Sequence, residues 1–489
     1  QTGKEEWRGE TSGKTYGLSV ANGRLFASTD AGTIECFAGD KVDRERVVAA
    51  RPAANPYPED ELTPVYAAAA DAIVTKSGVK KGYALVLGCN EGRLAYELAK
   101  QTELRIIGVE RDADKVEKAR RALDIADLYG TRISVHHIKG ETLPFTTYMA
   151  NLIVSEEALI HGRFSYPVSE VNRVLRPYGG CLCIGHPDQK HVSKKLDRAG
   201  LEQWLAGGGI KAELAEEGGL WALSRRGPVE GAGEWTQLYA DSRHTACSMD
   251  ALQGPMAIQW FGEPGPRDMV DRHHRPMSSL FKDGRLFIPA NDKVICVDPY
   301  NGTTLWSLDI PNSRRIGAMK NCGQMVLGDQ SLYVAVQDKC WVLNVETGAR
   351  VSELTCPKPG DDPQDWGYLD VAGDCLIGTG QVPGASFDQH TWDTCDLLEG
   401  DNRPVIVSQY LFSVDRHSGK KEWVHKGGAI LNSGIAIDEG RIFFVECRND
   451  ELKKDEDGRV RLKDFNARDT FLVALDLENG RKRWETPVT

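Results

Sequence analysis

A short pattern returns along this chain, and an internal repeat constrains a fold more tightly than composition does. Asn22-Gly23-Arg24-Leu25-Phe26 recurs as Asp283-Gly284-Arg285-Leu286-Phe287 and as Glu439-Gly440-Arg441-Ile442-Phe443. Looser copies stand at Asp329-Gln330-Ser331-Leu332-Tyr333 and Gly373-Asp374-Cys375-Leu376-Ile377. Each is a turn followed by an apolar, β-rich run, the signature of a hairpin. A second pattern follows the first. Val297-Asp298 precedes Asn301-Gly302 and Trp306; Val414-Asp415 precedes Ser418-Gly419 and Trp423; Leu475-Asp476 precedes Asn479-Gly480 and Trp484. Leu343-Asn344 with Thr347-Gly348 is a weaker copy without the tryptophan. In the three full copies the tryptophan stands eight residues after the aspartate. The glycine supplies a positive φ, the chain returns as a second strand, and the fixed spacing puts Trp in a fixed place between neighbouring sheets.

The steps from Trp260 to Trp306 and from Trp306 to Val351 are 46 and 45 residues. Repeats of that length carrying four short strands read as propeller blades. Later steps are longer, and loops near 383–404 and 449–469 absorb the difference. The pattern resembles the PQQ-like β-propeller repeat family, which includes the outer-membrane assembly lipoprotein type, over residues 1–38 and 234–489. The resemblance implies four-stranded blades that act as a scaffold, with a protein partner met through the propeller surface. Quinone dehydrogenases of that fold use a vicinal cysteine pair and a calcium site. No two cysteines are adjacent here, so bound PQQ is not expected. Five first half-units fall short of the seven or eight blades usual for the family, and Thr2-Gly3 to Trp7 reads as the tail of a second half-unit. Part of the ring is therefore expected outside this chain.

One repeat is interrupted. Counting thirteen residues from Arg24 reaches Phe37, where the expected turn is absent, and the repeat resumes only near Trp235. Nearly 200 residues are thus inserted into one hairpin tip, a place where insertions are tolerated. We expect a linker over 39–63 and a separate domain over 64–226. Thr63-Pro64 reads as an N-cap and first-turn proline. Val65, Ala69, Ala72 and Ile73 then line one helical face. Ala84-Leu85-Val86-Leu87 is an apolar strand, Gly88-Cys89-Asn90-Glu91-Gly92 a tight turn, and Leu94, Ala95, Leu98 and Ala99 the buried stripe of the next helix. A strand from Leu104 to Val109 ends in Glu110; Val116, Ala119, Leu123 and Ala126 line another helix. Further strands read Ile133–Ile138, Leu152–Val154 and Cys181–Ile184. Strand alternating with helix is an α/β Rossmann-like, doubly wound parallel sheet. The fold class is accordingly multidomain: an all-β partial propeller ring with an inserted α/β domain.

In such sheets a ligand binds beyond the carboxyl ends of the strands, beside the first Gly-rich turn. Gly88 to Gly92, with Glu110 eighteen residues after Gly92, has that spacing. Gly140-Glu141 precedes Leu143-Pro144-Phe145, followed by the strand Asn151-Leu152-Ile153-Val154 and by Glu170-Val171-Asn172-Arg173-Val174-Leu175-Arg176-Pro177 running into Gly179-Gly180. These landmarks together resemble the class I S-adenosylmethionine-dependent methyltransferases over about 64–226. The resemblance implies S-adenosylmethionine as cofactor and a methyl acceptor as partner. By position, Gly88 and Gly92 lie against its methionine part, Glu110 holds the ribose, and Glu141 sits near the adenine amino group. Three positions depart from the family pattern. Val86 replaces the usual acid two before the first glycine, Asn90 replaces the middle glycine, and Asn151 replaces an aspartate. Asn tolerates positive φ, whereas losing a hydrogen bond to a charged group at residue 86 costs about 1.5–3 kcal/mol.

Ser155-Glu156-Glu157 stands where this family often places substrate-side groups, and His161 follows. Glu156 or His161 are candidate general bases; a helix N-terminus enriched in acids by its dipole is the competing explanation. His136-His137 and His273-His274 are adjacent pairs whose side chains would point to opposite faces of a strand, against metal ligation. Asp455-Glu456-Asp457-Gly458 lacks the full calcium-loop pattern and reads as a solvated hairpin tip.

Composition sets outer limits. Sixty Lys plus Arg against 71 Asp plus Glu leave a formal charge of −11, which argues against non-specific nucleic-acid binding. No apolar run approaches the ~18 residues that span a bilayer. Twelve cysteines show no CxxC pair or zinc-type spacing and read as small buried hydrophobes. The chain starts at Gln1, which suits a removed leader or a piece of a longer protein; the propeller resemblance suggests export, whereas an active methyltransferase needs a cofactor kept in the cytoplasm. Two functions stand at this point: methyl transfer to an unidentified acceptor, or a non-catalytic scaffold carrying a degenerate domain. Under the second, Val86→Asp is expected to restore cofactor binding.

Overall fold

The computed structural model describes residues 4–39, 54–188, 196–251, 256–270, 277–315, 323–386, 404–452 and 457–488. His273, His274, Asp455, Glu456 and most of the 383–404 loop lie outside them. The chain divides into two units, Gln1–Ala53 and Ala54–Thr489. In the first, β1 (Thr15–Ala21), β2 (Arg24–Thr29) and β3 (Ile34–Ala38) form an antiparallel three-stranded sheet. Asn22 and Gly23 both have positive φ, the turn that matches strand twist in a two-residue hairpin.

The second unit holds the α/β domain. Its elements are α1 (Thr63–Ser77), β4 (Tyr83–Leu87), α2 (Arg93–Gln101), β5 (Arg105–Glu110), α3 (Ala113–Ile125), β6 (Ile133–His137), β7 (Leu152–Ser155), α4 (Glu156–His161), α5 (Val168–Val174), β8 (Cys181–Pro187), α6 (Arg198–Ala206), β9 (Glu213–Ala215) and β10 (Gly219–Arg225). Strand order is β6-β5-β4-β7-β8-β10-β9, with β6, β5, β4, β7 and β8 parallel and β10 antiparallel to both neighbours. The order reverses at β4, whose carboxyl end is the crevice expected of a doubly wound sheet. Alternation along β4 sorts the core: Ala84 and Val86 join Val65, Ala69, Leu94, Leu98 and Val116 on one face, while Leu85 and Leu87 join Ala158, Val171 and Leu201 on the other. Cys181 and Cys183, at alternate positions of β8, are both buried in the first of these layers.

Thr63 is not the N-cap of α1, contrary to expectation. The helix is preceded by Leu62, and Asp60 does the capping, accepting from the amides of Leu62 (3.0 Å) and Thr63 (3.1 Å). Arg93, the first residue of α2, pairs with Asp60 at 2.8 Å and is the main reason its carboxyl falls to about 2.

The remaining strands form antiparallel meanders. One comprises β11 (Leu280–Lys282), β12 (Arg285–Ala290), β13 (Lys293–Val297) and β14 (Thr304–Asp309); the next comprises β15 (Met325–Leu327), β16 (Ser331–Val336), β17 (Lys339–Asn344) and β18 (Arg350–Thr355). A ten-stranded sheet follows: β19 (Asp365–Ala372), β20 (Cys375–Gln381), β21 (Pro404–Asp415), β22 (Lys421–His425), β23 (Ala429–Leu431), β24 (Ala436–Asp438), β25 (Arg441–Cys447), β26 (Arg459–Arg461), β27 (Thr470–Asp476) and β28 (Lys482–Pro487). It contains two further four-stranded runs, β19-β20-β21-β22 and β24-β25-β27-β28, joined because β23 pairs with both β21 and β25. The repeated tryptophan locks neighbouring repeats at Trp306 and Trp423, as Trp260 does before them, whereas Trp484 of the last full copy is exposed. Trp260, Trp306 and Trp423 donate their indole N–H to the carbonyls of Pro299 (2.8 Å), Val345 (3.0 Å) and Leu477 (2.9 Å). Each ring lies where a Cβ on Gly302, Gly348 or Gly480 would stand, so these turns require glycine for space as well as for φ.

The α/β domain is seated on the first meander through the amino-terminal edge of its sheet. Asn151, just before β7, donates from Nδ2 to Asp298 Oδ2 (2.9 Å), and its Oδ1 accepts from Asn301 Nδ2 (2.8 Å) and the Tyr83 amide (2.9 Å). Arg176 reaches the same carboxylate at 2.5 Å and the Gly284 carbonyl at 2.8 Å. Tyr148 meets Tyr300 edge to face, with ring centres 5.7 Å apart. Asp298 is fully buried. Among the described residues no helix is long and apolar enough to cross a membrane.

Candidate functional site

At the opposite, carboxyl edge of the sheet, β4 runs into the turn Gly88–Gly92. Gly88, Asn90 and Gly92 have φ of +56°, +45° and +85°, and Gly92 directly precedes α2. A helix N-terminus behind a glycine turn leaves amide donors and positive dipole facing the crevice. Asn90 keeps the turn, as its tolerance of positive φ allows. Its side chain is also engaged: Oδ1 accepts from Lys115 Nζ at 2.8 Å and Nδ2 donates to the Gly88 carbonyl at 3.2 Å.

Glu110 ends β5 and is buried. Its carboxylate is turned toward the glycine turn: Oε2 accepts the Asn90 amide at 2.8 Å, while Oε1 accepts those of Arg111 (2.8 Å) and Asp112 (3.1 Å). A carboxylate has about four acceptor positions, so Oε2 keeps one for a ligand hydroxyl. Glu141 is exposed in the loop after β6 and, among the described residues, makes no hydrogen bond or ion pair. The loop itself is held two residues on, where Glu170 accepts the Leu143 amide (2.7 Å) and Arg173 donates to the carbonyls of Leu143 and Phe145 (2.8 Å each).

The two adjacent acids opening α4 part company, because successive residues on a helix point about 100° apart. Glu156 turns inward and is completely buried. Tyr66 Oη donates to its Oε1 at 2.8 Å and the Leu94 amide to its Oε2 at 3.3 Å. Burial pushes its carboxyl up to about 8 despite those donors, so it is a neutral acid at pH 7. Glu157 lies instead on the glycine turn: a Cβ built on Gly88 would come within 2.5 Å of Glu157 Cβ and 3.0 Å of its Oε2. Its Oε1 pairs with Arg163 at 3.1 Å, whereas Oε2 is buried without a hydrogen-bond partner. His161, at the end of α4, is half-buried. Burial, then the cations Lys115 and Arg163, lower its pKa, with Glu157 and Glu110 opposing them weakly. His161 therefore shares the electrostatic neighbourhood of Glu110, Glu157 and Lys115, while Glu156 lies beneath the turn.

Val86 is fully buried among Ala84, Leu94 and Ile106. Its position in β4 serves the core, and an acid there would point into apolar packing. Asn151 is explained by the other edge of the sheet, where an aspartate would confront buried Asp298. Lys115 and Glu157 are the site residues that pattern reasoning passed over. Glu157 stood in the quoted acidic pair, but sequence alone does not say which acid faces the turn.

Residues 84–179 match the methyltransferase domain family. No curated protein matches the chain. Solved structures similar in part include a Methanococcus maripaludis protein assigned as an S-adenosyl-L-methionine-dependent methyltransferase (22% identity, 35% of this chain, 88% of that one, TM-score 0.31). A SAM-dependent methyltransferase from Aquifex aeolicus gives 16% identity, 32% and 87% coverage and a TM-score of 0.28. BamB from Moraxella catarrhalis gives 14% identity, 47% and 55% coverage and 0.28. At these scores the overlays carry no functional argument, which rests on the residues themselves.

Proposed function

We propose that residues 64–226 bind S-adenosylmethionine and catalyse methyl transfer to an acceptor, with the antiparallel meanders serving as part of a PQQ-like propeller scaffold. One observation carries this reading. The glycine turn at the switch point and the acid ending the next strand are joined by the 2.8 Å bond from the Asn90 amide to Glu110, inside the segment that matches the methyltransferase domain family. Gly88 and Gly92 supply the positive φ the turn needs, while the Cβ position of Gly88 is occupied by Glu157 and that of Gly92 by Tyr57, Leu123 and Ala119.

When bound, the cofactor supplies a sulfonium-activated methyl group. The chain's own residues would divide the remaining tasks. Glu110 would orient a ribose hydroxyl through the free position on Oε2, and Glu141 would lie near the adenine amino group. His161, kept neutral at pH 7, is available to take a proton from an acceptor. Glu156 is enclosed, so its role in this reading is positioning, through the Leu94 amide at the start of α2. Calorimetry with S-adenosylhomocysteine tests the reading: a dissociation constant in the micromolar range is expected, and no heat at millimolar ligand would overturn it.

The scaffold alternative has its own support in Val86, which cannot act as the family's acid, and in the side chain lying across Gly88. It predicts that neither cofactor nor product binds. PQQ has no place in either reading.

A further inference from the structure

We infer that Trp484 and Arg441 form one half of an interface whose other half is a further four-stranded repeat of this same kind. That repeat lies outside the described residues, and its hairpin turn reads Asx-x-Glu-x-Gly. The inference deepens the scaffold part of the reading above and does not depend on cofactor binding. In each meander the fourth strand meets the third in one register. Trp306 stands opposite Cys296, Leu354 opposite Cys340, Trp423 opposite Ser413 and Trp484 opposite Ala474. The first three side chains are covered by the turn of the next repeat: Trp306 lies on Gly348, Leu354 on Gly419 and Trp423 on Gly480. The two indoles, 9% and 8% exposed, donate to the carbonyls of Val345 and Leu477.

Trp484 repeats the inner half of this arrangement without the outer half. Its ring meets Phe443 at 6.1 Å, as that of Trp306 meets Phe287 at 5.9 Å. It is nevertheless 42% exposed, and among the described residues its N–H has no acceptor. A charge beside it is also unmatched. Arg285, the first residue of β12, pairs at 3.1 Å with Glu346, two residues after Asn344 in the next meander. Arg441, the first residue of β25, holds the same place in the repeat; it is exposed and, among the described residues, forms no ion pair. A partner turn with glycine under the indole, a carbonyl on its N–H and an acid on the guanidinium meets all three needs. The described turns of a second copy cannot serve, because Gly302, Gly348, Gly419 and Gly480 are already filled by Trp260, Trp306, Leu354 and Trp423.

The test titrates the full chain with a cyclised peptide of residues 339–355, the hairpin whose Asn344-Val345-Glu346-Thr347-Gly348 turn receives Trp306, and follows the indole N–H resonances by NMR. The Trp484 resonance, assigned by its loss in Trp484→Phe, should shift at submillimolar peptide while those of Trp306 and Trp423 hold still. A Gly348→Ala peptide should bind at least about tenfold more weakly, because its new Cβ takes the place of the ring. A Glu346→Lys peptide should lose about two- to fivefold, the range of an exposed ion pair, and Arg441→Glu in the chain should restore its binding. No shift at millimolar peptide, or equal binding of the Gly348→Ala peptide, overturns the inference. A dimer in sedimentation that disappears in Trp484→Phe assigns the face to a second copy and overturns the choice of partner. Neither failure touches the methyltransferase reading, which calorimetry with S-adenosylhomocysteine decides separately.

Discussion

Replacing Asn151 by Asp changes one atom at the seat of the α/β domain and tests why an asparagine stands there. Asn151 Oδ1 would keep its donors, Tyr83 N and Asn301 Nδ2. The Nδ2 group, 2.9 Å from Asp298 Oδ2, would become an anionic oxygen against a fully buried carboxylate. At that separation and an effective dielectric of 20, repulsion alone is about 6 kcal/mol. Protonating one carboxyl caps the penalty, because neutralising an acid of ordinary pKa at pH 7 costs about 4 kcal/mol. Arg176, already on Asp298 at 2.5 Å, reduces it somewhat further. We expect Asn151→Asp to weaken the interface by about 3–4 kcal/mol at pH 7. The sign with pH follows from the raised carboxyl: the lost stability is present below the ordinary aspartate pKa, where the introduced carboxyl donates an O–H to Asp298, and disappears as pH rises. Hydrogen exchange of the amides of residues 298–303, followed from pH 3.5 to 8, reads this directly. Protection should match the unaltered protein near pH 3.5 and fall a hundredfold or more by pH 7. Equal protection at pH 7, or a loss independent of pH, would refute the electrostatic account of Asn151.

Glu156→Gln should flatten the pH dependence of stability. Because the buried acid sits at about 8 in the folded state, the unaltered protein loses stability as pH rises from about 4.5 to about 8, by at most roughly 5 kcal/mol, and the Gln variant should not; denaturant unfolding at pH 5 and 8 compares them. Val86→Asp, expected from sequence to restore an acid to the site, should instead destabilise the domain by at least ~3 kcal/mol by burying a charge in the core. Gained cofactor affinity with unchanged melting would contradict that. Gly348→Ala should cost about 2–3 kcal/mol, because φ is +71° and the new Cβ would lie 2.6 Å from the Trp306 ring; a red shift in tryptophan emission on the same variant reports the displaced ring.

The meander hairpins, the doubly wound order and the glycine crevice were legible because they rest on local chemistry. Asn22-Gly23 and Asp283-Gly284 dictate tight hairpins by their own positive φ, periodicity separates strand from helix, and an eight-residue spacing carries Trp306 and Trp423 to the next turn. Which groups meet across 70 to 150 residues is not a local property. No pattern indicated that Asn151 answers Asp298, or that Glu157 and not Glu156 lies on Gly88. Those outcomes depend on how rigid sheets and helices seat against one another, where a shift of one side-chain direction exchanges an acid enclosed beneath the helix for one lying on the glycine turn.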